Sequence, residues 1–174
     1  MEYFQLAFSI FFIISVFAWF SLAPWVPTRS RDLDRIHELI SLKKNHKFLE
    51  IWCGNARVSL YLAQHNPDST ITWIEFSPLM YIISLVRAKY SKLKNIEIIY
   101  WNALNRDLSS YDVLYVFWLP ETVTQKIFPK LKKEMKSTAI FYSYCFKMTN
   151  NYFSEIKHKP SPQVNAIYEY RQKK

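Results

Sequence analysis

Glycine is almost missing from this chain. Gly54 is the only one among 174 residues, where average usage of roughly 7% would give about a dozen. A single survivor marks a position that tolerates no side chain. The scarcity excludes the dinucleotide fingerprint G-x-G-x-x-G, which would need glycines at Trp52, Gly54 and Arg57 and finds only the middle one. Cysteine is nearly as rare. Cys53 and Cys145 form no C-x-x-C pair, so the sequence reads as two reduced thiols rather than a disulfide framework or a thiolate metal site, and no metal is expected. Internal repeats and low-complexity segments are absent too. Charge is missing from one long stretch: Phe4 to Ala23 is twenty residues without a charged side chain.

That stretch is long enough to cross a bilayer core of about 30 Å at 1.5 Å per residue. It starts after Met1-Glu2 and ends in Ser21-Leu22-Ala23-Pro24, without the basic start and small-x-small site of a cleavable signal. The expectation is therefore an uncleaved transmembrane anchor over residues 1–23, a proline-rich connector over 24–29 and one domain over 30–174. No Lys or Arg precedes the span, whereas Arg29 and Arg31 follow it closely. By the positive-inside rule the domain lies on the cytoplasmic side. All 23 basic residues follow the span with 13 of the 14 acids, which makes the domain strongly basic and suited to an anionic lipid surface. The lysines are scattered and no recognition motif accompanies them, so nucleic acid is not the expected partner.

Around Gly54 the sequence runs Phe48-Leu49-Glu50-Ile51-Trp52, Cys53-Gly54-Asn55, then Val58, Leu60, Tyr61 and Leu62 at helical spacing. This reads as a buried strand, a tight turn and a helix. A strand that enters a helix through such a turn aims the helix's first N–H groups at whatever lies beyond the strand end. Glu50 to Ala56 also partly matches the (D/E)-x-G-x-G-x-G pattern of S-adenosylmethionine methyltransferases. It keeps the acid, the middle glycine and a small third residue, and it places Trp52 where the first glycine would stand. An ordinary strand-to-helix turn would use Gly54 in the same way.

The rest alternates between strands and helices. A covering helix over Arg29 to Lys44 places Leu33, Ile36, Leu39 and Ile40 on one face, with Thr28 or Ser30 as its cap. Strands are expected at Phe48 to Trp52, Thr70 to Glu75, Ile96 to Tyr100, Tyr111 to Trp118 and Thr138 to Cys145. Two closing strands follow, at Tyr152 to Lys157 and Val164 to Arg171. Helices fill the gaps, at Pro78 to Tyr90 and Thr122 to Lys136 among them. The pattern predicts an α/β, Rossmann-like fold with a mostly parallel seven-stranded sheet and helices on both faces. Glu75 ends the second strand, one βαβ step beyond Glu50, where a carboxylate can accept ribose hydroxyls. A solvated strand-end acid would look the same.

In their order these motifs resemble one family. The span, the connector Pro24-Trp25-Val26-Pro27-Thr28, the acid-led turn, Ile74-Glu75-x-x-Pro78, Asn95-Ile96 and Leu119-Pro120-Glu121 are similar to those of small membrane-anchored class I methyltransferases. These are bacterial proteins akin to the mitochondrial protein-lysine methyltransferases that modify the c subunit of ATP synthase and the adenine nucleotide translocase. The resemblance implies S-adenosylmethionine as cofactor and a lysine of a membrane protein as substrate. It implies a bacterial inner membrane, or its mitochondrial counterpart, as location. Glu50 with Cys53, Gly54, Asn55, Ala56 and Arg57 would hold the methionine part, Glu75 the ribose, and Asn102 with Ala103 the adenine edge. Trp25, Thr28, Leu119 and Pro120 would face the substrate, with Trp118 and Glu121 beside the transferred methyl group. Asn102 as a plain turn residue, and Glu121 as a first-turn helix acid, remain alternatives. So does a methyltransferase fold that has lost its glycines and serves as a catalytically weak or inactive membrane interaction module.

Overall fold

The structure is a computed structural model that describes residues 27–173 and, ahead of them, Tyr3, Gln5 and 8–10. Most of Phe4 to Ala23 lies outside the described residues, as does Trp25. Among the described residues no helix is long and apolar enough to cross a membrane.

Strands β1 (Lys47–Ile51), β2 (Thr70–Glu75), β3 (Ile96–Tyr100), β4 (Val113–Val116), β5 (Ile140–Tyr144), β6 (Phe153–His158) and β7 (Ile167–Gln172) form one sheet in the order β3-β2-β1-β4-β5-β7-β6. The first five are parallel, and β7 runs antiparallel between β5 and β6. The run Val113 to Val116 is buried throughout, as a central parallel strand covered on both faces requires.

Alternation along the strands sends side chains to two cores. Phe48, Ile71, Trp73, Val113 and Tyr142 face a layer made by α1 (Ser30–Ile40), α2 (Arg57–His65) and α3 (Pro78–Ser91). Leu49, Ile51, Ile74, Leu114 and Phe141 face the other layer. That layer holds a 3-10 turn (Ala103–Asn105), α4 (Pro120–Thr122), a π-helical turn (Val123–Ile127) and α5 (Phe128–Glu134).

Several expected boundaries move, each for a local reason. The helix expected over Arg29 to Lys44 stops at Ile40, because Ser41 turns left-handed at φ 43°. Arg29 stands at its N-cap with no side-chain cap, so neither Thr28 nor Ser30 plays that part. Asp32 in its first turn is buried instead and accepts from Tyr144 Oη at 2.5 Å and Arg35 Nη2 at 3.0 Å, which clips α1 onto β5. The helix expected over Thr122 to Lys136 is broken. Pro129 has no N–H to give to the carbonyl of Gln125, and the backbone widens into a π turn just before it. Trp52, Phe117, Trp118 and Cys145, expected inside strands, lie past the strand ends.

Candidate functional site

The sheet reverses its direction of growth between β1 and β4, and the crevice beyond the carboxyl ends of two such strands is the usual ligand position of these sheets. The turn from β1 to α2 fills its floor. Three alternate residues there adopt positive φ: Trp52 at 55°, Gly54 at 57° and Ala56 at 53°. These are the three positions that the acid-led glycine pattern reserves for glycine. The backbone thus takes the glycine-loop path although only one glycine remains. For an L-residue the left-handed region costs about 1–2 kcal/mol, so Trp52 and Ala56 hold this path against their own preference.

Two carboxylates hold the turn. Glu75, buried at the end of β2, accepts from the Gly54 amide through Oε2 at 2.8 Å, and from Phe76 and Ser77 through Oε1 at 2.9 and 2.8 Å. Oε1 is filled by two donors, and Oε2 keeps one acceptor position. The expectation that Glu75 takes both ribose hydroxyls becomes room for one. Burial raises its pKa, against the pull of the three amides.

Glu50, buried on the same face of the sheet, accepts through Oε2 from the Ser59 amide at 3.0 Å and the Ser59 hydroxyl at 2.5 Å. Ser59 is the third residue of α2, so a strand acid caps the helix that lacks a cap of its own. Burial pushes the Glu50 carboxyl up to about 7, with Ser59 opposing and the nearby Glu75 charge adding. Cys53 is buried inside the turn, and burial raises its thiol pKa well above the usual value.

The remaining turn residues mostly serve the protein. The Asn55 carbonyl accepts from Arg87 at 2.5 Å, and Arg57 reaches the Thr28 carbonyl at 2.9 Å. This last bond brings the connector against the turn, where Thr28 is buried. Asn102 uses its side-chain oxygen to cap the 3-10 turn at the Leu104 amide, 3.0 Å away. That is the turn role weighed above, and it leaves the amide nitrogen exposed to a partner. Ala103 is buried beside the Trp52 cluster. Leu119, Pro120 and Glu121 are exposed, and Glu121 sits in the first turn of α4, as a helix acid would.

Trp52 is the residue that spacing alone misjudges. Its ring is only 7% exposed and packs against Trp118, 5.1 Å between centroids, and against Phe76 at 6.5 Å. It therefore turns to the face opposite Glu50 and roofs the core beside the crevice. Its indole N–H is buried with no hydrogen-bond partner. The Tyr115 hydroxyl, next to Glu50 across the β1–β4 pairing, is also buried without a bond of acceptable geometry, although the Thr28 side chain is close by. Two orphan polar groups thus flank one turn, and each costs about 1–3 kcal/mol unless something meets it. The groups left for a ligand are the second acceptor position on Glu75 Oε2 and the side-chain amide nitrogen of exposed Asn102, which fit a cofactor that offers a hydroxyl donor and a ring acceptor. Sequence reasoning missed Tyr115, Ser59 and Arg87; Tyr115 could have been found from its register opposite Glu50.

The sequence matches no protein-family model and no curated protein. Solved structures resemble the fold. An RNA methyltransferase from Salinibacter ruber, in complex with S-adenosyl-L-homocysteine, superposes with a TM-score of 0.74 at 20% identity, covering 86% of this chain and 95% of that one. The chain has the class I methyltransferase fold. An S-adenosylmethionine-dependent O-methyltransferase from Thermotoga maritima gives 0.65 at 13% identity over 89% of this chain and 70% of that one. A precorrin-6y C5,15-methyltransferase from Geobacter metallireducens gives 0.62 at 14% identity over 85% and 90%. Among the described residues no cluster of His, Cys, Asp or Glu could hold a metal ion.

Proposed function

We propose that the protein is an S-adenosylmethionine-dependent methyltransferase that N-methylates a lysine of a membrane protein. The observation that carries the first half is the β1–α2 turn: positive φ at Trp52, Gly54 and Ala56, with Glu75 bonded to the Gly54 amide at its centre. Such a turn brings bare backbone and a carboxylate to the same point. The free acceptor position on Glu75 would take one ribose hydroxyl, and the exposed Asn102 amide the adenine edge. The amide groups of the turn, with Tyr115 beneath them, would meet the methionine end. The cofactor, when bound, supplies a methyl group on a good leaving group, so the protein's part is positioning.

Trp118 would wall the mouth, with Leu119 and Pro120 at its rim. Glu121, exposed there, would orient the incoming ammonium or accept its proton. A lysine must lose its proton before it attacks, and a desolvating mouth lowers its pKa from about 10.4. The lysine and membrane halves of the proposal rest on the order of sequence motifs, on the uncharged stretch Phe4 to Ala23, and on Thr28 being held against the site by Arg57.

Calorimetric titration of the full-length protein with S-adenosylmethionine tests the cofactor, with saturable binding expected. Labelled S-adenosylmethionine, added with the protein to membranes and cytosol separately, tests the substrate. Label confined to soluble targets would sink the membrane reading. The second reading, a non-catalytic module, starts from Trp52 and Ala56 standing where the pattern has glycine, and absence of binding at millimolar cofactor would decide for it.

A further inference from the structure

Helix α3 is built inside out. The residues it buries are small, Ser84 and Ala88, and Ser84 accepts from the Trp73 indole at 3.3 Å. Half a turn away it exposes Leu79 (60%), Ile82 (55%), Val86 (47%) and Tyr90 (81%), one continuous stripe at helical spacing. Tyr100, at the end of β3, packs its ring against Tyr81 of the helix, 4.9 Å between centroids, and is itself half exposed, so it widens this apolar surface. Because β3 is the edge of the sheet, no further strand covers this side. Apolar surface of this extent is seldom left to water in a monomer.

Charge identifies the occupant. From Pro78 to Asn95 the chain carries Arg87, Lys89, Lys92 and Lys94 and not one acid. Lys89 and Lys92, at the C-terminal end of α3, are exposed beside a groove lined by Leu85, Leu93 and Ile96. An apolar stripe with aromatic residues at its end and lysines along its edge is the composition of a helix lying in a bilayer interface.

We infer that the outer face of α3, with Tyr100 beside it, is a lipid-docking surface that rests on an anionic bilayer. This inference goes beyond the methyl-transfer reading and stands without it. It adds to the tether a fixed orientation, which a tether alone cannot give.

The test uses the full chain in a Cys145→Ser background, with an environment-sensitive fluorophore attached at Val86→Cys or, as control, at Lys133→Cys on the opposite layer. Both positions are solvent-exposed, so the substitutions leave the core intact, and circular dichroism checks this. With vesicles of phosphatidylcholine and phosphatidylserine, the Val86 label should shift to the blue and be quenched by brominated lipid, while the Lys133 label should not respond. Reversing Lys89, Lys92 and Lys94 to Glu removes three surface cations, worth roughly a hundredfold in the docking equilibrium on anionic vesicles, and should abolish the Val86 signal. Equal responses at both labels, or a Val86 label that stays in water, overturns the proposal. So does disulfide cross-linking between two Val86→Cys chains in place of quenching, because that outcome assigns the face to a second copy.

Discussion

Glu50→Gln gives the sharpest test of how the site is built. Glu50 is buried, its Oε2 already accepts twice from Ser59, and its carboxyl is pushed up to about 7, mainly by burial. Oε1 is the oxygen left to carry the proton when the carboxyl is protonated. A folded pKa above the unfolded value means that the folded state binds the extra proton, so its stabilising contribution is complete below the unfolded value of about 4.5. It is lost as pH rises through about 7. Each pKa unit is worth 1.36 kcal/mol, so the loss between pH 4.5 and pH 8 is roughly 3 kcal/mol. Gln cannot ionise, yet it keeps an oxygen for Ser59. Urea unfolding of both proteins across this range should show the wild type losing about that much relative to Glu50→Gln. The difference between the two isolates Glu50, which matters because His37, whose pKa burial lowers, titrates nearby with opposite sign. Parallel curves for the two proteins would refute the assignment.

Other outcomes follow from the same geometry. Ala56→Gly should stabilise the fold by about 1 kcal/mol, because φ 53° suits glycine better than alanine; a lower melting temperature would count against the strained-turn account. On the proposed reading, Glu75→Ala should weaken S-adenosylmethionine binding at least tenfold by calorimetry, since it removes the acceptor proposed for a ribose hydroxyl together with the partner of the Gly54 amide. Unchanged affinity with an intact fold would remove Glu75 from the site. Asp32→Ala should cost about 2 kcal/mol in thermal unfolding, as it leaves Tyr144 and Arg35 without their shared acceptor; a neutral effect would show that α1 is held by packing alone.

Much of the fold was legible because parallel strands buried on both faces write themselves as apolar runs. Glu50 and Glu75 stood out as acids ending such runs, and both lie at the site floor. What spacing could not show was how polar atoms are spent. Glu75 looked free for two hydroxyls, but three backbone amides occupy most of it. Asn102 looked like a ligand and is half committed to its own turn. Asn95, read as part of a motif, is a clip whose amide nitrogen faces the carbonyls of Ala63, Asn66 and Ser69. The π turn was missed for another reason. Pro129 interrupts an otherwise good helical pattern, and its effect falls on the turn before it.

Trp52 shows most plainly what a pattern match leaves out. Replacing a glycine by the largest side chain looks like the loss of a loop, yet the loop conformation survives, because conformation is set by the partners of its amides and not only by residue preference. Glu75 holds the Gly54 amide, Glu50 holds the start of α2, and the Trp52 ring gains a core of Trp118, Phe76 and Ala103. Burying so large a ring contributes on the order of 3 kcal/mol, which offsets the cost of its positive φ. The substitution therefore removes the glycine and keeps its backbone path. It also buries an indole N–H that has no hydrogen-bond partner. Trp52→Phe separates these effects, since it keeps an aromatic ring and removes the donor. If that donor meets a cofactor oxygen, the variant should bind S-adenosylmethionine about five- to tenfold more weakly with little change in folding stability. Equal binding would leave the ring as packing alone.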